Sequence, residues 1–336
     1  MTSFKWLASF VLVTMVPALH AKTRCPGNVA SVALHLLQGQ MIVDVSVNRS
    51  GPYPFLLDTG TQTTTIDPSL ADQLNLITQG TEEIAGVGFQ TAASTVMLNV
   101  LETGSEAVPN LKVLVFSLQK LQIDGLNIRG VLGEDFLEHF DILIDNAHSL
   151  LCLDDSTAMR TNVKGPHIAL IMPPNASEGR SLARALVVES RLSDGMRPIR
   201  LWLDTGANVP FLYNPSEYLA IRRSQIVPQT GIGGDGSQAA FMAVPAQDVR
   251  LGTLQLTNVH FFTFLDVRKG SNPTGIDGLL TISLFRRVFI CHSNQYLVLE
   301  PWFSTLAAAR EAKSPNPMMT LLVKQCASPS CDASRS

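Results

Sequence analysis

Short apolar runs separated by turn residues make up most of this chain. Met41 to Val47 alternates apolar and polar side chains, which is typical of a strand with one buried face, and Val32 to Leu37 alternates more loosely. Gly51 to Pro54 predicts a turn, and Phe55 to Leu57 is a fully apolar run after it. Long helical periodicity is limited to residues 304–313. The pattern therefore predicts an all-β protein of many short strands, with one helix near the C-terminal end.

The tripeptide Asp-Thr-Gly occurs twice, each time at the end of an apolar run. Asp58 follows Phe55-Leu56-Leu57, and Asp204 follows Leu201-Trp202-Leu203, 146 positions later. A carboxylate at the tip of a buried strand is costly unless other groups offset its desolvation. Two such carboxylates at matched places predict a site that uses both of them.

Other features repeat at nearly the same spacing and in the same order. Gly86-Val87-Gly88 follows the first tripeptide as Gly231-Ile232-Gly233-Gly234 follows the second. Further on, Gly130-Val131-Leu132-Gly133 corresponds to Gly278-Leu279-Leu280-Thr281, and each is followed by an apolar segment with the pattern of a short helix and a strand. Repetition of several features in one order predicts an internal duplication, and hence two related lobes.

A loop-rich stretch, residues 154–180, separates the two halves and contains Gly165-Pro166 and Pro173-Pro174. We therefore predict an N-terminal lobe at residues 22–157 and a C-terminal lobe at residues 158–305. A terminal helix and tail are expected at residues 306–336.

The first 21 residues have the pattern of a signal peptide. Lys5 supplies a positive charge, Trp6 to Val16 form a short apolar stretch, and Ala21 stands before the expected cleavage point. The alternative is a membrane anchor, but the stretch is short for one that must span a bilayer. We expect an exported protein, periplasmic or extracellular, with no membrane span in the mature chain.

Composition and charge narrow the function further. Of 336 residues, 46% are hydrophobic and 16% are charged, and the net charge is -3 at pH 7. This length suits two ordinary domains with a sizeable core. The charge offers no basic face for nucleic acid. The cysteine and histidine spacing suggests no zinc site, and we expect neither a metal nor a cofactor.

Five cysteines occur, at Cys25, Cys152, Cys291, Cys326 and Cys331. Cys326 and Cys331 are close enough in sequence to close a small loop with a disulfide in an oxidising compartment. Cys152 and Cys291 lie in apolar, strand-like runs, so we interpret both as buried core thiols.

Two carboxyl groups that share one proton can hydrolyse a peptide bond without a metal or a covalent nucleophile. The ionised group takes a proton from water, and the protonated group donates to the carbonyl oxygen of the substrate. Like charges a few ångströms apart resist double ionisation, which separates their pKa values. Gly60 and Gly206 permit a sharp backbone turn beside each carboxylate, and Thr59, Thr61 and Thr205 supply hydroxyls for hydrogen bonds.

The two segments Phe-Leu-Leu-Asp-Thr-Gly-Thr and Leu-Trp-Leu-Asp-Thr-Gly-Ala resemble the active-site strands of pepsin-like and retropepsin-like aspartic proteases. Gly130 to Leu137 resembles the second signature of that family, and Phe140 to Asp145 resembles the strand after it. The likeness covers most of residues 30–300. It implies an all-β, bilobal acid-protease fold with two retropepsin-like β-barrel halves related by pseudo-twofold symmetry.

The same resemblance implies roles for individual residues. Asp58 and Asp204 would be the catalytic pair of an aspartic endopeptidase that binds a peptide or protein substrate in extended conformation and acts as a monomer without a cofactor. The supporting residues would be Thr59, Gly60, Thr61, Thr205, Gly206 and Gly133. The substrate flaps would be formed by Gly86, Val87 and Gly88 in one half and by Gly231, Ile232, Gly233 and Gly234 in the other.

One position departs from this pattern, because Thr281 stands where the second half would carry the counterpart of Gly133. Two other interpretations therefore stay open. The chain is a peptide- or protein-binding module on the same fold whose cleft does not cut, or it contains two half-sites that each complete a dyad with another chain. The separation of the two carboxyl groups discriminates between catalysis and binding.

Overall fold

The computed structural model describes residues 25–86, 89–119, 121, 123, 125–172, 184–220, 227–232, 238–264 and 275–302. These residues form mostly β-strands with a few short helices, which confirms the predicted all-β class. The predicted signal peptide and the predicted terminal helix and tail lie outside the described residues. Within those ranges, no helix is long and apolar enough to cross a membrane.

Strands β1 to β11 form the first lobe: β1 (Ala30–Ala33), β2 (His35–Leu37), β3 (Gln40–Val47), β4 (Ser50–Leu57), β5 (Thr65–Ile66), β6 (Thr78–Gly86), β7 (Phe89–Thr103), β8 (Glu106–Val115), β9 (Gly130–Leu132), β10 (Asp141–Asp145) and β11 (Leu150–Asp154). The α-helices are α1 (Pro68–Gln73), α2 (Glu134–Leu137) and α3 (Ala158–Asn162). Because α3 begins at the predicted division between the lobes, it forms part of the connection; the division itself stays a prediction.

Strands β12 to β23 form the second lobe: β12 (Ile168–Ala169), β13 (Val187–Leu192), β14 (Ile199–Asp204), β15 (Phe211–Leu212), β16 (Val227–Ile232), β17 (Gln238–Ala243), β18 (Gln247–Leu251), β19 (Leu254–Val259), β20 (Phe262–Phe264), β21 (Gly278–Thr281), β22 (Phe285–Cys291) and β23 (Tyr296–Pro301). Short 3₁₀ helices occur at Pro26–Asn28, Pro215–Glu217 and Ile282–Leu284.

The two lobes repeat one arrangement of strands. In the first, β4 pairs in parallel with β9, so that Leu56 lies opposite Val131. In the second, β14 pairs in parallel with β21, so that Trp202 lies opposite Leu279. Each pair is the middle of a larger sheet, with order β2-β3-β4-β9-β5-β8-β7-β6 in the first lobe and β16-β17-β20-β15-β21-β14-β13-β18-β19 in the second.

A third sheet joins the lobes and has the order β1-β11-β10-β22-β23-β12. Its first three strands come from the first lobe and its last three from the second, with β10 and β22 antiparallel at the centre. There Ile142 lies opposite Ile290 and Ile144 opposite Val288, and all four side chains are buried. The mirrored order of strands agrees with the duplication seen in the sequence.

The turn before β4 differs from its prediction. The strands β3 and β4 are joined through Asn48 and Arg49, which both have positive φ angles (51° and 66°), and Gly51 to Pro54 belong to β4. A two-residue hairpin loop of type I′ has left-handed backbone at both positions, and asparagine tolerates it well. The prolines were therefore a misleading turn signal, since they lie in the strand.

The disulfide differs from its prediction as well. Cys25 and Cys152 are joined by a disulfide, so the interpretation of Cys152 as a free core thiol was wrong. The partners are 127 positions apart and meet because β1 pairs with β11. Cys291 is a buried free thiol, as predicted, whereas Cys326 and Cys331 lie outside the described residues.

Candidate active site

Two matched loops carry the Asp-Thr-Gly tripeptides to the meeting point of the lobes. Asp58 directly follows β4, and its N–H donates to the carbonyl of Leu132 in β9 (3.0 Å). Asp204 is the last residue of β14 and lies opposite Thr281 in β21. Since side chains alternate along a strand, the preceding Leu57 and Leu203 are fully buried in the core while the aspartates face the other way.

The carboxyl groups of Asp58 and Asp204 lie within hydrogen-bonding reach of each other. The glycine of each loop makes this approach possible. A Cβ atom on Gly60 would lie 2.6 Å from Cγ of Asp204, and one on Gly206 would lie 2.6 Å from Cγ of Asp58. Any larger residue at either glycine would therefore displace the carboxyl group of the opposite loop.

The two threonines of the tripeptides lock the loops together through four buried hydrogen bonds. The Thr59 N–H donates to Oγ1 of Thr205 (2.9 Å), and the Thr205 N–H donates to Oγ1 of Thr59 (3.1 Å). Each hydroxyl then donates to a carbonyl of the opposite lobe, that of Leu203 for Thr59 (2.8 Å) and that of Leu57 for Thr205 (2.7 Å). Each backbone N–H and each hydroxyl of the two threonines thus has a hydrogen-bond partner.

The two carboxyl groups have different partners. Asp58 accepts hydrogen bonds from the Gly60 N–H and from the hydroxyl of Thr61, both at 2.8 Å. Asp204 accepts from the N–H groups of Gly206 (2.8 Å) and Ala207 (3.0 Å). Because alanine replaces threonine at the matching position, Asp204 lacks the hydroxyl donor that Asp58 has.

This difference separates the pKa values of the two groups. Burial raises the pKa of Asp58, and the hydrogen bonds from Thr61 and Gly60 oppose that rise. Burial, followed by the charge of Asp58, raises the pKa of Asp204 well above its ordinary value. Because like charges this close resist double ionisation, the two groups titrate as a coupled pair that shares one proton. Such a pair can both remove a proton from water and donate one to a carbonyl oxygen.

Comparison with known proteins shows which protein family and which fold this arrangement resembles. The family model described as aspartyl protease matches residues 43–136, which include Asp58 and Gly133. This part of the first lobe is similar to the aspartyl protease family. No curated protein sequence matches it.

Among solved structures, the chain is similar to the aspartic proteinase from Irpex lacteus, with a TM-score of 0.51 and 11% sequence identity over 82% of this chain and 98% of that one. This likeness extends over both lobes and shows that the bilobal fold is that of an aspartic proteinase. A retropepsin-like aspartic protease from Rickettsia conorii matches with a TM-score of 0.28 and 23% identity over 37% of this chain and 87% of that one.

In this aspartic-protease fold, Gly133 packs against the loop that carries Asp58. A Cβ atom there would lie 2.9 Å from the carbonyl oxygen of Thr61, so only glycine fits. The Gly133 N–H donates to the hydroxyl of Thr64 (3.1 Å), and the next N–H, that of Glu134, donates to the carbonyl of Thr61 (2.9 Å). The supporting segment thus holds the first loop through backbone donors.

Thr281 supports the second loop in another way. Its hydroxyl donates to the carbonyl of Ala207 (2.5 Å), the residue that matches Thr61. The same hydroxyl accepts from the Ser283 N–H (3.3 Å) and so caps the short helix that follows. A side-chain donor in the second lobe thus takes the place of the backbone donor in the first.

We expect that replacing Thr281 with glycine, which restores the residue of the first lobe, destabilises the protein. The partly buried carbonyl of Ala207 would lose its donor, which costs about 0.5–1.5 kcal/mol, the net contribution of one hydrogen bond. Thermal or urea unfolding of Thr281→Gly measures this loss, and Thr281→Ser, which keeps the hydroxyl, is the matched control. A glycine variant as stable as the wild type would show that the hydroxyl does not hold the loop.

The predicted flap residues lie at the ends of two hairpins, only part of which is described. Gly86 ends β6 and pairs with Phe89 of β7, and Gly231 and Ile232 belong to β16 and pair with β17. Val87, Gly88, Gly233 and Gly234 lie outside the described residues. The role of these hairpins as flaps stays a prediction.

The sequence pattern did not identify Trp202 and Gln40 as residues that contact the opposite lobe. Trp202 lies in an apolar run, as a core residue would, but it is only partly buried and its indole donates to the carbonyl of Thr59 (3.0 Å). Gln40 was not singled out, yet its amide donates to the carbonyl of Gly206 (2.9 Å). One sequence signal existed, because Trp202 matches Leu56 and the two halves differ at this position.

Among the described residues, no group of three or more histidine, cysteine, aspartate or glutamate side chains is placed to hold a metal ion. A cavity of about 780 Å³ in the second lobe is lined by Arg197, Arg200 and Asp277 among others. It lies at the beginning of β14, whereas Asp204 lies at the end of that strand. Arg197 and Asp277 form a two-pronged ion pair there (2.6 and 3.0 Å), which compensates both charges.

Proposed function

We propose that this protein is an exported aspartic endopeptidase that hydrolyses peptide bonds with a water molecule activated by Asp58 and Asp204. The observation that carries the proposal is the close pair of carboxyl groups, that of partly buried Asp58 and that of buried Asp204, whose surroundings favour one shared proton. The match of residues 43–136 to the aspartyl protease family model supports a peptidase in general.

In the proposed reaction, ionised Asp58 takes a proton from the water molecule while its oxygen attacks the carbonyl carbon of the scissile peptide. Protonated Asp204 donates its proton to the carbonyl oxygen, which gives a tetrahedral diol. Asp58 then passes its proton to the leaving nitrogen as the C–N bond breaks, and Asp204 recovers its proton from the diol. The proton balance closes without a metal or a cofactor.

The proposed substrate is a peptide or protein segment in extended conformation. Hairpins β6–β7 and β16–β17 would close over it, since their backbone groups can pair with an added strand. Gly86, Val87 and Gly88 would form the tip of the first flap. Gly231, Ile232, Gly233 and Gly234 would form the tip of the second.

Two other functions are weaker. A binding module without cleavage was suggested by Thr281, but the bond from its hydroxyl to Ala207 gives the second loop a support of its own. A dimer of half-sites is disfavoured because one chain supplies both aspartates and both threonines to a single site. We therefore propose a monomer.

Export is proposed from the predicted signal peptide, residues 1–21, and from the disulfide between Cys25 and Cys152. Disulfides persist in the periplasm and outside the cell and are rare in reducing compartments. A disulfide between Cys25 and β11 suits a protein that folds after export.

The test is a cleavage profile of the purified mature protein on a peptide library, with and without a pepstatin-type inhibitor. We expect cleavage that the inhibitor blocks and that chelators and serine-directed reagents leave unchanged. Cleavage that persists under saturating inhibitor would contradict the proposal. Peptides that bind to the protein but are not cut would identify a binding module instead.

A further inference from the structure

A second set of hydrogen bonds crosses between the lobes beside the threonines. The indole Nε1 of Trp202, in the second lobe, donates to the carbonyl of Thr59 in the first (3.0 Å). The amide Nε2 of Gln40, in the first lobe, donates to the carbonyl of Gly206 in the second (2.9 Å) and contacts Oδ1 of Asn208. Each acceptor is thus a backbone carbonyl of an Asp-Thr-Gly loop.

The two carbonyls belong to the peptide units that hold the two carboxyl groups. The carbonyl of Thr59 shares a planar peptide unit with the N–H of Gly60, which donates to Oδ1 of Asp58 (2.8 Å). The carbonyl of Gly206 shares a peptide unit with the N–H of Ala207, which donates to Oδ1 of Asp204 (3.0 Å). Fixing the carbonyl end of a rigid plane also fixes the direction of its N–H.

Trp202 and Gln40 are not related by the duplication. The residue that matches Trp202 is Leu56, and by strand register the residue that matches Gln40 is Ala185; both are buried and neither side chain can donate a hydrogen bond. The two lobes therefore reach the same arrangement, one side-chain donor on each loop, from different strands. A chance contact would not be expected to recur at both loops.

Two further hydrogen bonds between the lobes, at matched positions, flank Trp202 and Gln40. The side chain of Asn208 donates to the carbonyl of Gln38 (3.2 Å), and the side chain of Gln62 accepts from the N–H of Arg184 (2.9 Å). Asn208 matches Gln62, and by strand register Arg184 matches Gly39, the residue after Gln38. Each loop therefore bonds to the corresponding peptide unit at the start of the opposite lobe. The loops are thus already held in place, and the two donors act on the orientation of individual peptide units.

We propose that Trp202 and Gln40 are positioning residues, each of which orients from the opposite lobe the peptide N–H that stabilises one carboxylate of the dyad. The inference rests on the proposed function. Trp202 acts on Asp58, and Gln40 acts on Asp204. Neither side chain has to touch the substrate for this role.

The assignment predicts a different effect on pH dependence for each residue. Without the indole bond, the N–H of Gly60 is held less well, ionised Asp58 loses stabilisation, and the acid limb of activity moves to higher pH. Without the Gln40 bond, ionised Asp204 loses stabilisation in turn, and the alkaline limb moves to higher pH. Besides the two carboxyls, Tyr213 is the described ionisable group that interacts with the dyad; burial, followed by the charge of Asp204, raises its pKa, so it stays neutral.

The experiment compares the pH profiles of kcat and KM for Trp202→Phe and Gln40→Leu. We expect kcat to fall about tenfold, the effect of one lost hydrogen bond, with KM little changed and with the two limbs shifted as stated. Trp302→Phe is the matched control, because its indole also donates to a backbone carbonyl (3.0 Å), that of Ser283, which lies outside both tripeptides. If Gln40→Leu does not fold, Gln40→Met removes the donor with less change of shape.

A second measurement needs no substrate. Aspartates labelled with ¹³C report the titration of the dyad by NMR in the wild type and in the variants. The pH-profile limbs and the aspartate titrations of Trp202→Phe and Gln40→Leu are compared with those of Trp302→Phe. If they do not differ, the proposal is overturned even if kcat falls. A wild type that cuts no peptide while Trp202→Phe still shifts the titration would reject the proposed function and keep the positioning role.

Discussion

Replacing Asp204 with asparagine is expected to abolish peptide cleavage and, at neutral pH, to make the protein more stable. Asparagine can neither donate an acidic proton nor share one with Asp58, and general acid–base catalysis contributes roughly 10²–10⁴-fold to a rate. Asp58→Asn removes the base in the same way. Activity above background in either variant would contradict the dyad.

The gain in stability follows from the direction of the pKa shifts. Burial raises the pKa of both aspartates in the folded protein, so the folded state holds protons that the unfolded state releases. Stability therefore falls as pH rises through the folded pKa values, and Asp204→Asn removes the larger part of that fall. Below the unfolded pKa the variant and the wild type should unfold at similar temperatures.

Melting temperatures of the wild type and Asp204→Asn across this pH range measure the effect. Asp72→Asn, which replaces an exposed aspartate in α1, serves as the control and should follow the wild type. A variant that melts below the wild type at neutral pH would show that the dyad is not under electrostatic strain. Loss of activity together with a gain in stability would be typical of a site arranged for chemistry.

Removing His292 is expected to cost far more stability than removing one partner of an exposed ion pair. Its Nε2 lies 2.9 Å from Oε2 of Glu134, whose side chain is fully buried, and its Nδ1 lies 2.6 Å from the carbonyl oxygen of Phe140. A carbonyl can only accept, so Nδ1 carries a proton, and one further proton lies between Nε2 and Glu134. In His292→Ala, Glu134 would be buried without this partner, at a cost of about 3–5 kcal/mol.

This pair also predicts a loss of stability in alkaline solution. Burial lowers the pKa of His292, but the hydrogen bond and the charge of Glu134 outweigh it and the pKa is raised. Burial raises the pKa of Glu134. Both shifts mean that the folded state binds the shared proton more tightly, so the stabilisation is present below the unfolded pKa of histidine and is lost as pH rises through the folded pKa.

Urea unfolding across neutral to alkaline pH tests this pair, with Arg184→Ala as the control. Arg184 and Glu138 also form an ion pair between the lobes (2.6 Å), but both side chains are more than a third exposed, and such a pair contributes about 0–1 kcal/mol. Glu134→Gln keeps a neutral partner for His292 and should lose less stability than His292→Ala, with a weaker dependence on pH. Equal losses in His292→Ala and Arg184→Ala would refute the role of the buried pair.

The sequence predicts what depends on local pattern. Alternation predicted β3, and the repeated tripeptide predicted that Asp58 and Asp204 form one site, because a duplicated strand and turn fold alike in both lobes. The hydrogen bonds between Thr59 and Thr205 join the two loops, whereas the role of the two aspartates as one catalytic site stays a prediction. The hydroxyl of Thr61 bonds to Asp58, as its position after Gly60 suggested.

What could not be predicted depends on contacts between distant positions. Cys152 bonds to Cys25 across 127 positions, and His292 meets Glu134 across 158. Neither partner carries a local signal, since an apolar strand accommodates a thiol and a disulfide equally well. Thr281 was misleading for a related reason. The sequence shows that the glycine is missing, but it does not show that the Thr281 hydroxyl bonds to a carbonyl in a loop 74 positions away.

The central pair of strands, β10 and β22, has a consequence for the ancestry of the molecule. One half on its own would have an apolar edge strand without a pairing partner. The same strand of a second copy could pair with it. In such an ancestral homodimer, every substitution would appear twice. Covalent fusion of the copies lifts that constraint, and each copy can then mutate alone. The difference between Thr61 and Ala207, which gives the two carboxyl groups different hydrogen-bond donors, is a change that a pair of identical chains could not hold.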